Sequence, residues 1–312
     1  MSFINALPGA IAQGLVWAVM AIGVYITFRI LDIADLTVDG SFATGGAVLA
    51  IYVTNSDGSM GSVFVGMLLA LVAGLIAGLV TGIFHTRLGI PPILSGILTQ
   101  LMLWSINLKI MGGKANVSVS ASQYDVLVKL RDAGDSIWKL LVIVFFIILL
   151  LYLFFGTELG SAIRATGNNL KMSRAQGINV NLNKVIGLML SNGLVALAGA
   201  LLTQYQGFAD INMGRGAIVI GLAAVVIGEA IFSKIVKNFA LRLASVGFGA
   251  VLYFIVYQLV ISLGMDTDLM KMLSAIVVAI FLGIPYLKKK YFDSGVKTKK
   301  EPTNPTGGEE NA

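Results

Sequence analysis

The sequence contains no cysteine, one histidine and few charged residues, which make up 12% of its 312 positions. Without cysteine the chain forms no disulfide, thiolate metal site or thiol nucleophile. The single His85 has no set of metal ligands or triad partners near it, and the sequence has no Gly-x-x-x-x-Gly-Lys-Ser/Thr loop for nucleotide phosphates. We therefore expect no catalytic residue, no metal site and no cofactor on this chain.

The scarcity of charge accompanies strong hydrophobicity. Hydrophobic residues account for 57% of the chain, whereas a soluble domain is usually about 25% charged. Apolar runs approaching 20 residues recur, long enough to cross a hydrocarbon core of about 30 Å. Six prolines and 36 glycines suit helices that pack closely in lipid. The predicted fold class is all-α, a polytopic membrane protein in a lipid bilayer. The net charge of +6 comes mostly from span ends and the tail, so we expect no nucleic-acid binding.

The apolar runs predict about nine transmembrane helices (eight to ten). The second and seventh runs are short and interrupted by Gly, Asp and Ser. The first run lacks a basic leader and a clear cleavage site, so it is predicted to be retained. The predicted spans are residues 10–30, 37–54, 61–84, 91–110, 137–155, 184–204, 216–232, 239–263 and 269–287. They form a transmembrane domain over residues 1–290, and the polar tail 291–312 is predicted to be disordered.

The distribution of basic residues predicts the orientation. Fifteen of the 22 basic residues fall on one side of the membrane when the polar segment 160–180 lies in the cytoplasm, as the positive-inside rule favours. The N-terminus is then predicted outside and the C-terminal tail in the cytoplasm, with the chain in the cell membrane. The longest exterior loop, 112–136, is either a solvated connector or a landing surface for another protein.

A short internal repeat relates residues 34–38 (ADLTV) to residues 209–213 (ADINM) at an offset of 175. Each copy precedes a glycine-interrupted span. Five spans separate the copies, an odd number, so the two halves would be inverted relative to each other. Paired interrupted segments in inverted halves point to a transport path near the membrane midplane. Chance similarity in apolar sequence is the alternative for so short a match.

Polar residues near the two copies are candidates for lining that path, because ionisable groups inside membranes are rare and mark transport pathways. The candidate path residues are Thr37, Asp39, Ser41, Gln100, Asn192, Asp210 and Asn212. Two alternatives stay open. Asp and Ser residues near helix starts can cap backbone N–H groups, and polar residues inside spans can serve only hydrogen bonds between helices. Glu229, near a predicted inner span end, is expected to form an ion pair with Lys234, with a proton relay as the alternative.

The polar segment Gly160–Val180, GSAIRATGNNLKMSRAQGINV, lies between two long spans. We predict two short helical pieces, 162–166 and 170–176, separated by glycine turns, within a loop over 157–182. Small residues allow close approach and a few charges fix a register, which suits docking on another protein. An ordinary basic inner loop is the alternative. The predicted docking residues are Gly160, Arg164, Gly167, Asn168, Lys171, Arg174 and Gly177.

This segment resembles the coupling segment of ABC-importer permeases of the branched-chain amino acid and simple-sugar type. Residues 221–228 (GLAAVVIG) are similar to an Ala-Ala-Val-Val-Leu-Gly stretch of the sugar-type members. Residues 33–41 (IADLTVDGS) occupy the place of that family's Asn-x-Ala-His-Gly element. The chain departs from the pattern at Glu229, where sugar permeases have a second glycine, and in lacking the histidine. The resemblance extends over about residues 10–287.

The resemblance implies the membrane subunit of an ATP-driven importer. It implies an ABC ATPase on a separate chain that binds ATP and Mg, a second permease copy in a homodimer, and an extracytoplasmic substrate-binding protein. The small-molecule substrate we expect is an amino acid, hydrophobic or aromatic, with a sugar or nucleoside as the alternative. Inverted repeats with intramembrane acids also suit an ion-coupled secondary transporter, and a membrane scaffold without transport activity is a further rival.

Overall fold

A computed structural model describes residues 3–232, residues 238–263 and six isolated positions between 272 and 283. Lys234, the tail 291–312 and, apart from those six positions, the ninth predicted span at 269–287 lie outside the described residues. The predicted disorder of the tail and the predicted Glu229–Lys234 pair therefore stay predictions.

Helices dominate the described part of the chain. Each of the eight predicted spans that fall there coincides with one helix. The α-helices are α1 Phe3–Tyr25, α2 Thr37–Asn55, α3 Met60–Thr86, α4 Pro92–Ile110, α5 Ala133–Gly156, α6 Glu158–Asn168, α7 Leu170–Ala175, α8 Val180–Gln206, α9 Ala217–Phe232 and α10 Phe239–Ser262. A π-helical turn, Ile26–Ile30, continues α1, and two short strands, β1 Asn116–Ser118 and β2 Phe208–Asp210, pair antiparallel.

Six of these helices, counted over the described residues, are long and apolar enough to cross a membrane. They are α1 with its π turn, α3, α4, α5, α8 and α10. The glycine-interrupted α2 and α9 are not among them, so the predicted number of about nine spans is not confirmed. Large apolar side chains such as Phe64, Leu101 and Phe145 are 54%, 63% and 68% exposed, as lipid-facing residues would be. The all-α, polytopic class is confirmed.

Helix packing repeats between the two halves of the chain. Helix α1 packs on α10 and α9, just as α8 packs on α3 and α2, and the α2–α3 contact is matched by an α9–α10 contact. Helices α1 and α8 run antiparallel, because Gly9 lies beside Tyr205 while Gly23 lies beside Ser191. Exchanging α1–α2–α3 for α8–α9–α10 therefore leaves the packing pattern unchanged, which is the inverted organisation that the repeat predicts.

Small residues bring these helices together within the chain. The ridge of small residues on α3, with a small residue at every fourth position from Ala70 to Gly82, faces α8. An added Cβ at Gly78 would overlap the Leu188 carbonyl oxygen of α8, and one at Gly74 would overlap that of Asn192. This ridge therefore packs against a neighbour in the same chain and is not left free for a second copy.

The bundle has two ends, which we name the α6 end and the ribbon end. The α6 end contains α6, α7 and the π turn, and the ribbon end contains β1 and β2. The predicted exterior loop 112–136 packs over the ribbon end and is not a free connector. Its Val119 and Val128 are fully buried, and the backbone N–H of Leu127 donates to Gln204 Oε1 at 3.1 Å.

Candidate functional site

Two chain reversals bring the N-termini of α2 and α9 together inside the bundle. The chain turns back at the α6 end through residues 31–36 into α2, and at the ribbon end through residues 207–216 into α9. Ser41, in the second turn of α2, donates to Oδ1 of Asn192 at 2.6 Å. Because Asn192 is midway along α8, the start of α2 lies midway across the bundle.

Asp39, in the first turn of α2, caps α9. Its Oδ2 accepts a hydrogen bond from the N–H of Gly216 at 2.9 Å, and its Oδ1 accepts one from the N–H of Ile218 at 3.0 Å. The carboxylate thus stands at the positive ends of two helix dipoles. The capping alternative weighed in the sequence is present, but the capped helix belongs to the other half of the chain.

The position of Asp39 coincides with the axis that relates the halves. Gly214 follows Asp39 by 175 residues, the same offset as the repeat. The two residues touch, since an added Cβ at Gly214 would overlap the Asp39 carbonyl oxygen. Equivalent residues of two related halves can contact each other only at the axis between them.

Asp35 and Asp210 occupy the same place in the two copies and make the same local bond. Oδ1 of Asp35 accepts from the N–H of Thr37 at 2.9 Å, and Oδ1 of Asp210 accepts from the N–H of Asn212 at 2.7 Å. Their surroundings differ. Asp35 is buried, whereas Asp210 pairs with Asn116 in the ribbon and Asn212 is exposed. Asp210 and Asn212 therefore lie on the ribbon side of the point where α2 and α9 meet.

A buried hydrogen-bond chain joins Asp35 to Asn192 and Ser41. Asn192 Nδ2 donates to Asp35 Oδ2 at 2.6 Å, while its Oδ1 accepts from Ser41. All three side chains are buried. A buried carboxyl group must be satisfied by hydrogen bonds, and here Thr37 of α2 and Asn192 of α8 donate them to Asp35. Asn192 and Ser41 therefore form a hydrogen bond between helices, which was the alternative to a role in lining the path.

Three threonines form a second polar contact beside it. Thr37 and Thr81 hydroxyl oxygens lie 2.7 Å apart, and Thr81 donates to Thr99 at 2.9 Å. Gln100, the residue after Thr99 in α4, is half-buried. Its Cα would lie 3.1 Å from a Cβ added at Gly40 of α2. Sequence reasoning missed Thr81 and Thr99, although a hydroxyl residue in each of the spans 61–84 and 91–110 was visible.

The segment 157–182 contains α6, α7 and the start of α8, each with a side-chain cap. Thr157 Oγ1 accepts from the N–H of Gly160 at 3.2 Å, Asn169 Oδ1 from that of Met172 at 3.0 Å, and Asn179 Oδ1 from that of Leu182 at 3.1 Å. Such caps fix where each helix begins. Asn179 starts α8 at residue 180, four residues before the predicted span.

The predicted role of the glycines in this segment is partly wrong. Gly160 and Gly167 lie inside α6, and the break between α6 and α7 is at Asn169. An added Cβ at Gly160 would overlap Phe154 backbone, and one at Gly167 would overlap the Ile30 carbonyl oxygen. These two glycines serve close packing, and only Gly177, with φ of +77°, forms a turn that favours glycine.

The exposed residues of this segment fall into two groups. Arg164 Nη2 donates to the Phe155 carbonyl at 2.9 Å, and its guanidinium lies 5.7 Å from the ring centre of Phe239. Arg164, although exposed, therefore ties α6 to the bundle. Further exposed side chains lie beyond it, namely Asn168, Leu170, Lys171, Met172 and Arg174.

An ion pair at the α6 end joins the two halves. Arg29 Nε in the π turn lies 2.8 Å from Glu229 Oε1 in α9. The predicted partner Lys234 lies outside the described residues, and among the described residues Arg29 pairs with Glu229. Within the ranges that the structure describes, no three His, Asp or Glu side chains cluster as a metal site would.

A polytopic bundle of two inverted halves, with interrupted helices meeting at mid-depth, defines a membrane transport protein. The model of one family, described as the permease component of a branched-chain amino acid transport system, matches residues 7–282. The chain therefore belongs to this family of ABC-importer permeases. Permeases of this family are multi-pass membrane proteins and are not enzymes. Membership of the family decides against an ion-coupled carrier and against a scaffold without transport activity.

Individual relatives differ in what their names say. A tyrosine transport system permease protein of Clostridioides difficile is 38% identical over 89% of this chain and 90% of its own. Uncharacterized protein RP368 of Rickettsia prowazekii is 35% identical over 92% and 99%. The autoinducer 2 import system permease LsrC of Escherichia coli is 29% identical over 59% and 58%. Among solved structures, PsaBC of Streptococcus pneumoniae in complex with Fab has a TM-score of 0.49 at 16% identity, too low to support an argument.

Proposed function

We propose that this permease imports an amino acid with a hydrophobic or aromatic side chain, with tyrosine as the first candidate. The observation that supports this choice is the 38% identity with a permease named for tyrosine transport, extending over nine-tenths of both chains. The LsrC relative, which is named for autoinducer 2 import, matches less than two thirds of either chain.

The meeting point of α2 and α9 is chemically suited to a zwitterion. The N-terminus of α2 offers partial positive charge to a carboxylate, as interrupted helices of transporters do, whereas the N–H groups of Gly216 and Ile218 at the start of α9 already donate to Asp39. Asp39 offers a carboxylate to an ammonium group in the same place. An uncharged sugar has no charged group for either the helix N-terminus or the Asp39 carboxylate to bind. We propose that Thr37, Asp39, Ser41, Gln100, Asn192, Asp210 and Asn212 line or support the path here.

We propose that α6 and α7 dock on a separate ABC ATPase, which binds ATP and Mg. Ile163 of α6 is fully buried and Asn183 Nδ2 of α8 donates to Thr166 Oγ1 at 3.1 Å, so α6 is fixed to the bundle. The exposed apolar and basic side chains of α7 are left for the ATPase. In this arrangement the α6 end is cytoplasmic in the cell membrane, the chain pairs with a second copy, and a substrate-binding protein delivers the amino acid at the ribbon end.

Substrate class is tested with the permease, its ATPase and its binding protein in proteoliposomes. We expect uptake of labelled tyrosine that depends on ATP and is reduced by excess unlabelled phenylalanine or tryptophan but not by ribose. Omission of ATP is the control for coupling. Competition by ribose without competition by any amino acid would contradict an amino-acid substrate.

Docking is tested by reversing two exposed charges on the α6–α7 segment. The double variant Lys171→Glu/Arg174→Glu is expected to weaken ATPase recovery in a mild-detergent pull-down by about tenfold or more, since rim charges at an interface set association and truncated charge pairs cost binding. Lys114→Glu, a single charge reversal of the same kind at an exposed site of the ribbon end, is the control and should leave recovery unchanged. Equal recovery of the ATPase with the wild type, the double variant and the control would contradict docking at α7.

A further inference from the structure

The π turn that ends α1 contacts α6, the first helix of the segment proposed to dock on the ATPase. π-helical turns are rare and often occur at functional sites. The carbonyl of Ile30, the last residue of the turn, lies so close to α6 that a Cβ added at Gly167 would overlap it. The following residue, Leu31, contacts Gly187 of α8. A displacement of α6 toward the bundle therefore presses on the π turn as well as on α5 and α8.

The same turn holds α9 through the Arg29–Glu229 ion pair. The two side chains are 57% and 30% exposed, and exposed ion pairs add little to folding stability. The pair lines a cleft of about 880 Å³ between α6, the π turn, α9 and α10. Among the described residues, the other charged side chains that line this cleft are Asp32, Arg164 and Arg242, and Arg164 already bonds to Phe155.

We propose that Arg29 and Glu229 are positioning residues that transmit a displacement of α6 to α9. Helix α9 runs unbroken from Ala217 to Phe232, so Glu229 and the N-terminus capped by Asp39 belong to one rigid element. Movement applied at the α6 end then shifts the helix terminus at the proposed substrate path. This inference rests on the proposed docking of the ATPase at α6 and α7.

The test measures substrate taken up per ATP hydrolysed by the whole complex in proteoliposomes. Arg29→Glu and Glu229→Arg each place like charges together, and each is expected to lower this ratio by about tenfold, a usual size for coupling between sites. The exchange Arg29→Glu/Glu229→Arg restores an opposite-charge pair and should return most of the ratio. A structural role alone would lower the yield of assembled complex and leave the ratio of the assembled fraction unchanged.

A matched control is the Asp135–Lys139 pair of α5, 2.6 Å apart and also exposed. Asp135→Lys places like charges together there and should leave the ratio at its wild-type value. Wild-type ratios in both single variants at Arg29 and Glu229 would overturn the proposal. So would a double exchange that recovers nothing although the complex assembles.

A second variant covers the case in which charge reversal prevents assembly. Because the chain contains no cysteine, Arg29→Cys/Glu229→Cys introduces the only two thiols of the permease. The reduced form is expected to be uncoupled, and bridging the thiols with a short bifunctional methanethiosulfonate should restore the ratio. A fully bridged sample that stays uncoupled would show that the pair must open during transport, which contradicts transmission through it.

The two proposals fail in different ways. If charge reversal at Lys171 and Arg174 leaves ATPase recovery unchanged, the docking proposal fails. If docking is confirmed and every variant at Arg29 and Glu229 has the wild-type ratio, only the role of this ion pair fails.

Discussion

Asp39→Asn is expected to lower ATP-driven uptake by about tenfold or more while the ATPase stays bound. The asparagine keeps one carbonyl oxygen for a single N–H of α9 but loses the second acceptor and the charge. A hydrogen bond to a charged group contributes about 1.5–3 kcal/mol, and 1.4 kcal/mol corresponds to a factor of about ten. Asp39→Ala removes both acceptors, orphans the N–H groups of Gly216 and Ile218, and should have the larger effect on stability as well as uptake.

The control for Asp39 is Asp125→Asn. Asp125 is exposed in the loop 112–136 that packs over the ribbon end and is not among the proposed path residues, so its amide should retain near wild-type uptake and thermal stability. Uptake and thermal midpoint, measured on the same preparations, separate the two roles of Asp39. Loss of uptake at an unchanged midpoint supports contact with the substrate path. Unchanged uptake would leave Asp39 as a cap alone.

Gly199→Val is expected to be the most destabilising single substitution at the centre of the bundle. An added Cβ at Gly199 of α8 would overlap the Phe42 carbonyl oxygen of α2, and one at Gly45 of α2 would overlap that of Ala196. The two helices thus contact backbone to backbone on the C-terminal side of the Ser41–Asn192 bond in both α2 and α8. Valine must push them apart, because a carbonyl in a helix cannot move as a flexible side chain does.

The expected loss is about 3 kcal/mol or more, at the upper end for overpacked cores, which corresponds to a fall in thermal midpoint of roughly 10 °C. The measurement is a thermal unfolding curve of the detergent-purified chain, together with the yield of folded protein. Gly134→Val adds the same atoms where nothing lies within 4 Å of the new Cβ and should change the midpoint little. An equal midpoint for both variants would mean that α2 and α8 separate without cost.

Much of the site was open to prediction because the repeat marks it. The match between residues 34–38 and 209–213 located both chain reversals, and the choice of Asp39 came from the rarity of acids within spans. What could not be predicted is which helix Asp39 caps, since its N–H partners lie 177 and 179 residues away. The roles of Gly160 and Gly167 were misjudged for a related reason. A glycine required by a turn and one required by a neighbouring backbone look identical in one sequence.

The Arg29–Glu229 pair shows the same limit. Arg29 and Glu229 are 200 residues apart in the sequence, and they meet because the inverted halves place the end of α1 against the end of α9. Periodicity and charge report local structure, and they contain no information on which span packs beside which.

By itself the sequence determined the membrane class, eight helices near their observed positions, the inverted halves and the resemblance to ABC permeases. These depend on composition, run length and short motifs, which are local properties of the chain. Only the tertiary structure decided that α2 and α9 meet at Asp39, that Asp35 is satisfied by Asn192, and that the π turn lies between α6 and α9. Each of these contacts joins residues more than 100 positions apart, and their geometry depends on how closely glycines allow the helix backbones to approach.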